Sequence, residues 1–122
     1  ISTNTAIVIA TRGHRFDDLA LETAVRSPAG YVGLIGSRRK TLLIYQALLQ
    51  RGVSIERLKQ VHAPVGLDIG ARTPEEIAVS VMAQVVQFYM GGTGQPMKMD
   101  EDRVDTLYRK LHRKSQESPS VP

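Results

Sequence analysis

The amino-acid sequence predicts an α/β fold: a partial Rossmann-like parallel sheet with flanking helices, followed by one more helix at the carboxyl end. Three observations predict it. Two short apolar runs rich in β-branched residues, 5–11 and 31–35, each lead through a turn into a helical pattern. A Thr73-Pro74-Glu75-Glu76 capping box opens a third, longer helical pattern with a broad apolar stripe. Alternation of single strands with helices, rather than of strands with hairpins, implies parallel pairing through right-handed crossovers.

The run Thr5-Ala6-Ile7-Val8-Ile9-Ala10-Thr11 is continuously apolar, as a strand buried on both faces would be. Asp17 is the expected helix N-cap, with Phe16 and Leu21 spaced as a hydrophobic staple. That helix stops at Ser27-Pro28, because a residue preceding proline leaves the α region. Tyr31-Val32-Gly33-Leu34-Ile35 is the second strand, and Gly36-Ser37 turns the chain into a helix over 38–51 that Gly52 ends. Val53, Ser54 and Leu58 mark a short helix reaching about residue 60, and 62–70 is a glycine-containing loop with room for a short strand. The helix after the capping box carries apolar residues at 77, 78, 81, 82, 85, 86 and 89, a stripe wide enough to cover a sheet.

The domain organisation follows. Residues 1–90 are the C-terminal part of a Rossmann-like domain, 91–99 a Gly-rich linker, 100–114 an extra amphipathic helix and 115–122 a flexible tail. Two strands are fewer than the roughly five or six of a doubly wound sheet, so the first βαβ unit is expected to be missing and the chain to be a fragment. In the extra helix Val104, Leu107, Tyr108 and Leu111 make one narrow stripe; it covers either this domain or a second copy, and a homodimer is one expected assembly.

With 42% hydrophobic and 23% charged residues, the 122-residue chain has an ordinary globular balance. It contains no cysteine, which excludes disulfides, thiolate metal sites and cysteine nucleophiles within it. No apolar run approaches the roughly 20 residues of a membrane span, no secretory leader is recognisable, and the cytoplasm is the expected location. The net charge is +4, and residues 1–60 hold nine Lys and Arg against four Asp and Glu. That bias suits an anionic small molecule or an acidic protein surface. Nucleic acid is disfavoured, since aromatic residues on which bases stack make up only 5% of the chain.

The most informative segment is Gly36-Ser37-Arg38-Arg39-Lys40. Free N–H groups and the positive dipole end of a helix favour an anion there. Three cations in that first turn oppose the dipole, and a local rule broken without visible compensation points to function. Thr11-Arg12-Gly13-His14 closes the first strand, on the sheet edge where open parallel sheets bind ligands. Arg12 is a candidate anion contact, and His14 a hydrogen-bond donor and a weaker candidate acid or base. Asp68, between Gly66 and Gly70, either accepts from a ribose or pterin group or caps its own turn. His14, His62 and Asp68 match no recognised metal-ligand spacing, and no metal is expected. Glu75 and Glu76 belong to the capping box.

Four blocks, in order, resemble the Rossmann domain of XdhC/CoxI proteins: Thr11-Arg12-Gly13-His14 with Asp17 and Asp18; residues 31–40; residues 62–70; and Thr73-Pro74-Glu75-Glu76-Ile77-Ala78-Val79-Ser80. The resemblance covers about residues 5–90. It implies an accessory factor, not a catalyst, for molybdenum hydroxylases of the xanthine dehydrogenase or CO dehydrogenase type. Such a factor binds the molybdenum cofactor (molybdopterin), aids its sulfuration by a cysteine desulfurase, and passes it to the apo-enzyme. On this reading Arg12 and the turn Gly36, Ser37, Arg38, Arg39 and Lys40 face the cofactor's phosphate or nucleotide portion, with His14 and Asp68 as further cofactor contacts. The family's amino-terminal domain and Gly-rich first turn have no counterpart within these 122 residues, as expected of a fragment, and the helix over 100–114 matches none of its blocks. Two alternatives stay open: an NAD(P)-binding module of a dehydrogenase-like enzyme, and a non-catalytic interaction module.

Overall fold

The computed structural model describes residues 1–11 and 16–117. Arg12 and His14 therefore lie outside the described residues, as does the end of the chain from residue 118. Among the described residues two strands and five helices follow in order: β1 (Ala6–Ile9), α1 (Asp17–Arg26), β2 (Tyr31–Leu34), α2 (Arg38–Gln50), α3 (Ile55–Lys59), α4 (Pro74–Met90) and α5 (Glu101–Glu117). β1 and β2 run parallel with Ala6 opposite Tyr31 and Ile9 opposite Leu34, so their carboxyl ends are level. A third stretch joins the far edge of β2. The His62 N–H donates to Val32 O (2.9 Å), His62 O accepts from the Leu34 N–H (3.0 Å), and the Val65 N–H donates to Leu34 O (3.1 Å). This stretch forms a single parallel bridge, Gly33 opposite His62, and not the short strand for which the 62–70 loop had room.

The register divides the sheet into two faces. Ile7, Ile9, Val32 and Leu34 share one with the helices. There Leu21, Ala24 and Val25 of α1, Ile44 and Leu48 of α2, and Val53 and Leu58 beside α3 complete the aliphatic core. Arg57 of α3 locks the end of α1 in place: its guanidinium donates to Val25 O (2.8 Å), Ser27 O (3.2 Å) and Ala29 O (2.8 Å). On the opposite face α4 covers Tyr31, whose hydroxyl donates to Gln84 Oε1 (2.6 Å). The same oxygen accepts from the Gly66 N–H (3.0 Å), so one side chain ties β2 and the 62–70 loop to α4.

β1 differs from expectation. All four residues of β2 are buried, but in β1 only Ile9 is. Ala6 and Val8 are exposed, because the described residues leave their face of β1 largely uncovered. The α4 stripe is likewise only half used. Ser80 and Val81 are buried, whereas Met82 and Val86 remain exposed where the helix overhangs the narrow sheet. α4 does keep its full capping box, with Thr73 Oγ1 accepting from the Glu76 N–H and Glu76 Oε1 accepting from the Thr73 N–H. It ends at Gly91, whose φ of 76° is the left-handed value glycine adopts without a Cβ penalty. α5 continues to Glu117 and so takes in residues 115–117, expected from sequence to be tail; between its start and Pro119 no glycine or proline stops it.

Candidate functional site

The level register brings the ends of β1, β2 and the 62–65 stretch to one edge of the sheet. The turn from β2 into α2 is built there. Ser37 is the N-cap of α2: its hydroxyl accepts from the Lys40 N–H (3.2 Å), and its carbonyl accepts from both the Thr41 N–H (3.0 Å) and the Thr41 hydroxyl (2.9 Å). The cap thus occupies one of the helix's free donors. Among the described residues the N–H groups of Arg38 and Arg39 have no hydrogen-bond partner, and both side chains are exposed.

Lys40 is in a different position. Its ammonium forms an ion pair with the carboxylate of Asp17, which is 1% exposed, and its stem lies against Gly36. Asp17 also accepts a hydrogen bond from the Thr11 hydroxyl. Asp17 is consequently the first residue of α1 and not its N-cap. Phe16 takes the N-cap position with no side-chain cap and is exposed, so the expected staple on Leu21 does not form. The physical reason is competition: a largely buried cation is a stronger partner for the carboxylate than the backbone N–H groups of its own helix.

The three cations at the start of α2 are therefore not equivalent. Lys40 is compensated from within, whereas among the described residues no acid pairs with Arg38 or Arg39. Between α1 and α2 lies a cleft of about 540 Å³ lined by Asp18, Ser37, Arg39, Lys40, Leu43 and Ile44. A second one, of about 470 Å³, runs from Arg38 and Thr41 to Ala63 and Pro64. One arginine faces each. Each cleft therefore offers an anion one arginine side chain beside the start of α2, where the N–H groups of Arg38 and Arg39 are unpartnered among the described residues.

Asp68 does not take part in this turn's hydrogen bonds. Its Oδ1 accepts from the Gly70 N–H (3.4 Å), a contact at the long end of the range that closes its own loop. Gly66 is required by its surroundings: φ is 108°, and a Cβ there would overlap the Ser80 hydroxyl, which donates to Leu67 O. The close approach at Gly66 is thus to α4. His62 stacks on Tyr31 with ring centroids 4.4 Å apart, Phe88 presents its edge to both, and burial pushes the imidazole below its ordinary pKa. Burial likewise raises the Tyr31 phenol to about 12.

Three residues central to this architecture carry no site role on sequence grounds: Asp17, Gln84 and Tyr31. Each left a trace. Asp17 opens the helix after the first strand just as the three cations open the helix after the second, and Gln84 is a polar residue in the run Val81-Met82-Ala83-Gln84-Val85-Val86. Tyr31 stands at the start of a strand whose other residues are aliphatic or glycine.

Comparison with known proteins bears on the same elements. The family model described as the XdhC Rossmann domain matches residues 2–85. The chain is 43% identical over 81 residues to the protein YqeB of Escherichia coli K12, covering 66% of the chain and 15% of that protein. It is 34% identical over 82 residues to a probable xanthine dehydrogenase subunit of Bacillus subtilis 168, covering 67% and 23%. It is also 34% identical over 85 residues to the molybdenum cofactor insertion chaperone PaoD of Escherichia coli K12, covering 70% and 27%. The crystal structure of a xanthine dehydrogenase from Bacillus halodurans superposes with a TM-score of 0.60 at 30% identity, covering 77% of this chain and 26% of that one. The chain spans about a quarter or less of the length of these proteins. The family model takes in the parallel strands, the helix order and the basic turn, and the chain belongs to the XdhC family through its Rossmann domain.

Proposed function

We propose that this chain is the anion-gripping part of a maturation factor for molybdenum hydroxylases of the xanthine dehydrogenase or CO dehydrogenase type. It binds the phosphate-bearing portion of the molybdenum cofactor during sulfuration and releases the cofactor to an apo-enzyme. The observation that carries this reading is the start of α2, where Arg38 and Arg39 are exposed and their N–H groups are unpartnered among the described residues, on the ligand-binding edge of a parallel sheet. Membership of the XdhC family and the chaperone role named for PaoD support the choice of ligand. Arg38 and Arg39 hold the phosphate, and Ser37 keeps the turn in shape. Lys40 with Asp17 stiffens the rim from beneath instead of contacting the guest. Arg12 and His14, which follow β1 in the sequence, belong to the same proposal as cofactor contacts, and Asp68 as a contact to the pterin or ribose portion. The protein partners are the apo molybdenum hydroxylase and a cysteine desulfurase. No helix among the described residues is long and apolar enough to cross a membrane.

The test is retention of molybdopterin, measured by fluorescence of its oxidised derivative after the chain is purified from cells that make the cofactor. The double substitution Arg38→Ala and Arg39→Ala is expected to lower retention at least tenfold, with unchanged circular dichroism. Equal retention by the variant overturns the site. A thermal-shift titration with NAD(H) and NADP(H) separates the dehydrogenase-like alternative, since a ligand of the native state raises the midpoint.

A further inference from the structure

α5 carries a face that no described residue covers. Val104, Leu107, Tyr108 and Leu111 occupy one stripe at helical spacing, and each is between 51% and 60% exposed. The charges on the same helix are segregated along its axis. Residues 101–107 hold Glu101, Asp102 and Asp105 against Arg103, whereas residues 108–117 hold Arg109, Lys110, Arg113 and Lys114 against Glu117.

We infer that α5 pairs antiparallel with α5 of a second copy of this chain. The charge pattern decides the occupant. In an antiparallel pair the acidic opening turns of each helix lie beside the basic closing turns of the other, and the two helix dipoles oppose. A parallel pair would set like charge against like. Docking on the chain's own α4 fits less well: its exposed Val79, Met82, Val86 and Met90 would accept the stripe, but the helix has no charged residue after Glu76 to answer the gradient. The gradient also suits α5's own dipole. The exposed stripe running through its centre is left for a partner.

The geometry sets a register. A two-fold axis between Leu107 and Tyr108 places Val104 of one copy against Leu111 of the other and Leu107 against Tyr108, an isologous contact. Two turns of apolar stripe bury little area, so the dimer is weak, with a Kd on the order of micromolar. It is also salt-sensitive, because its orienting charges face solvent.

Sedimentation velocity on the 122-residue chain tests this. A monomer–dimer equilibrium is expected between roughly 1 and 200 μM, weakened at least tenfold by Leu107→Asp and measurably by added NaCl. The variant's unfolding midpoint at low concentration should match that of the unsubstituted chain, because the stripe is outside the core. Orientation is read by disulfide trapping, which the absence of native cysteine makes clean. Val104→Cys mixed with Leu111→Cys should cross-link faster than either variant alone. A monomer throughout the range overturns the inference, as does Val104→Cys linking to itself faster than to Leu111→Cys. A Leu107→Asp chain that stays monomeric but melts earlier does so too, and assigns the stripe to α4.

Discussion

The buried carboxylate of Asp17 is ion-paired with the ammonium of Lys40 across the gap between the start of α1 and the start of α2. Both residues sit beside the sheet edge, and the Thr11 hydroxyl donates to the same carboxylate from the end of β1. One acid therefore joins three elements, and it removes one of three adjacent cations from the surface. The pair explains how a helix tolerates Arg-Arg-Lys in its first turn: the charge closest to the protein body is matched from within.

Breaking this pair should cost more than an exposed one would. Asp17→Ala leaves the Lys40 ammonium, whose side chain is 17% exposed, without its partner. A loss of about 3 kcal/mol is expected in urea unfolding. Lys40→Met should act in the same direction, and the double variant should recover part of the sum, with a coupling above about 1 kcal/mol. Additive losses would mean that the two groups do not interact in solution.

Arg57 is expected to matter through its fork and not its charge. It donates to three carbonyls at the end of α1 and in the turn before β2. Arg57→Ala strands those acceptors and should destabilise the chain by about 2 kcal/mol. Arg57→Lys should recover less than half of that, since one ammonium cannot span three acceptors set around a planar group. Full rescue by lysine, read from denaturant midpoints, would show that charge alone suffices.

Stability should fall in two separate pH windows. Below about 6.5 the unfolded chain protonates its histidines, while native His62, held down by burial against Tyr31 and Phe88, resists. The His62 contribution is complete above that pH and declines as pH drops toward the lower native value. The thermal midpoint should decrease from about pH 7.5 to about pH 5.5, and His62→Gln should flatten that stretch. A second decline belongs to carboxylates with lowered native values: half-buried Asp18 beside Arg51 and Glu22 beside Arg51 and Arg26, and exposed Glu76 under the N–H groups of Thr73 and Arg72. Their contribution is present above the ordinary carboxylate range and is lost as pH falls through the native values, below about 4. An identical slope in His62→Gln over the first window would assign that window to another group.

Much of the fold was legible locally. Ser37, Ser54 and Thr73 with Glu76 cap their helices as their spacing implies, and Gly52 and Gly91 follow the ends of α2 and α4 with positive φ. The parallel pairing of β1 with β2 follows from the helix between them. The basic turn at 36–40 was visible as a cluster, but its division into one paired lysine and two arginines without an ion pair among the described residues was not. Nor was the open face of β1: a run of apolar residues reports that a strand tends to be buried, not which neighbours arrive to bury it. At Asp17 the expectation of an N-cap failed because capping preference concerns one helix, whereas the partner that won is Lys40, on the next helix.

What the sequence by itself determined is the alternation of strands and helices, the caps and stops that bound them, and the basic turn at a strand end, because each depends on residues within about four positions of one another. Only the tertiary structure decided which cation of that turn is paired, that residues 62–65 line the far edge of β2, and that Gln84 and Arg57 carry the cross-ties. Those outcomes depend on distances between segments remote along the chain, and a buried charge or carbonyl is satisfied by whichever partner packing brings within reach.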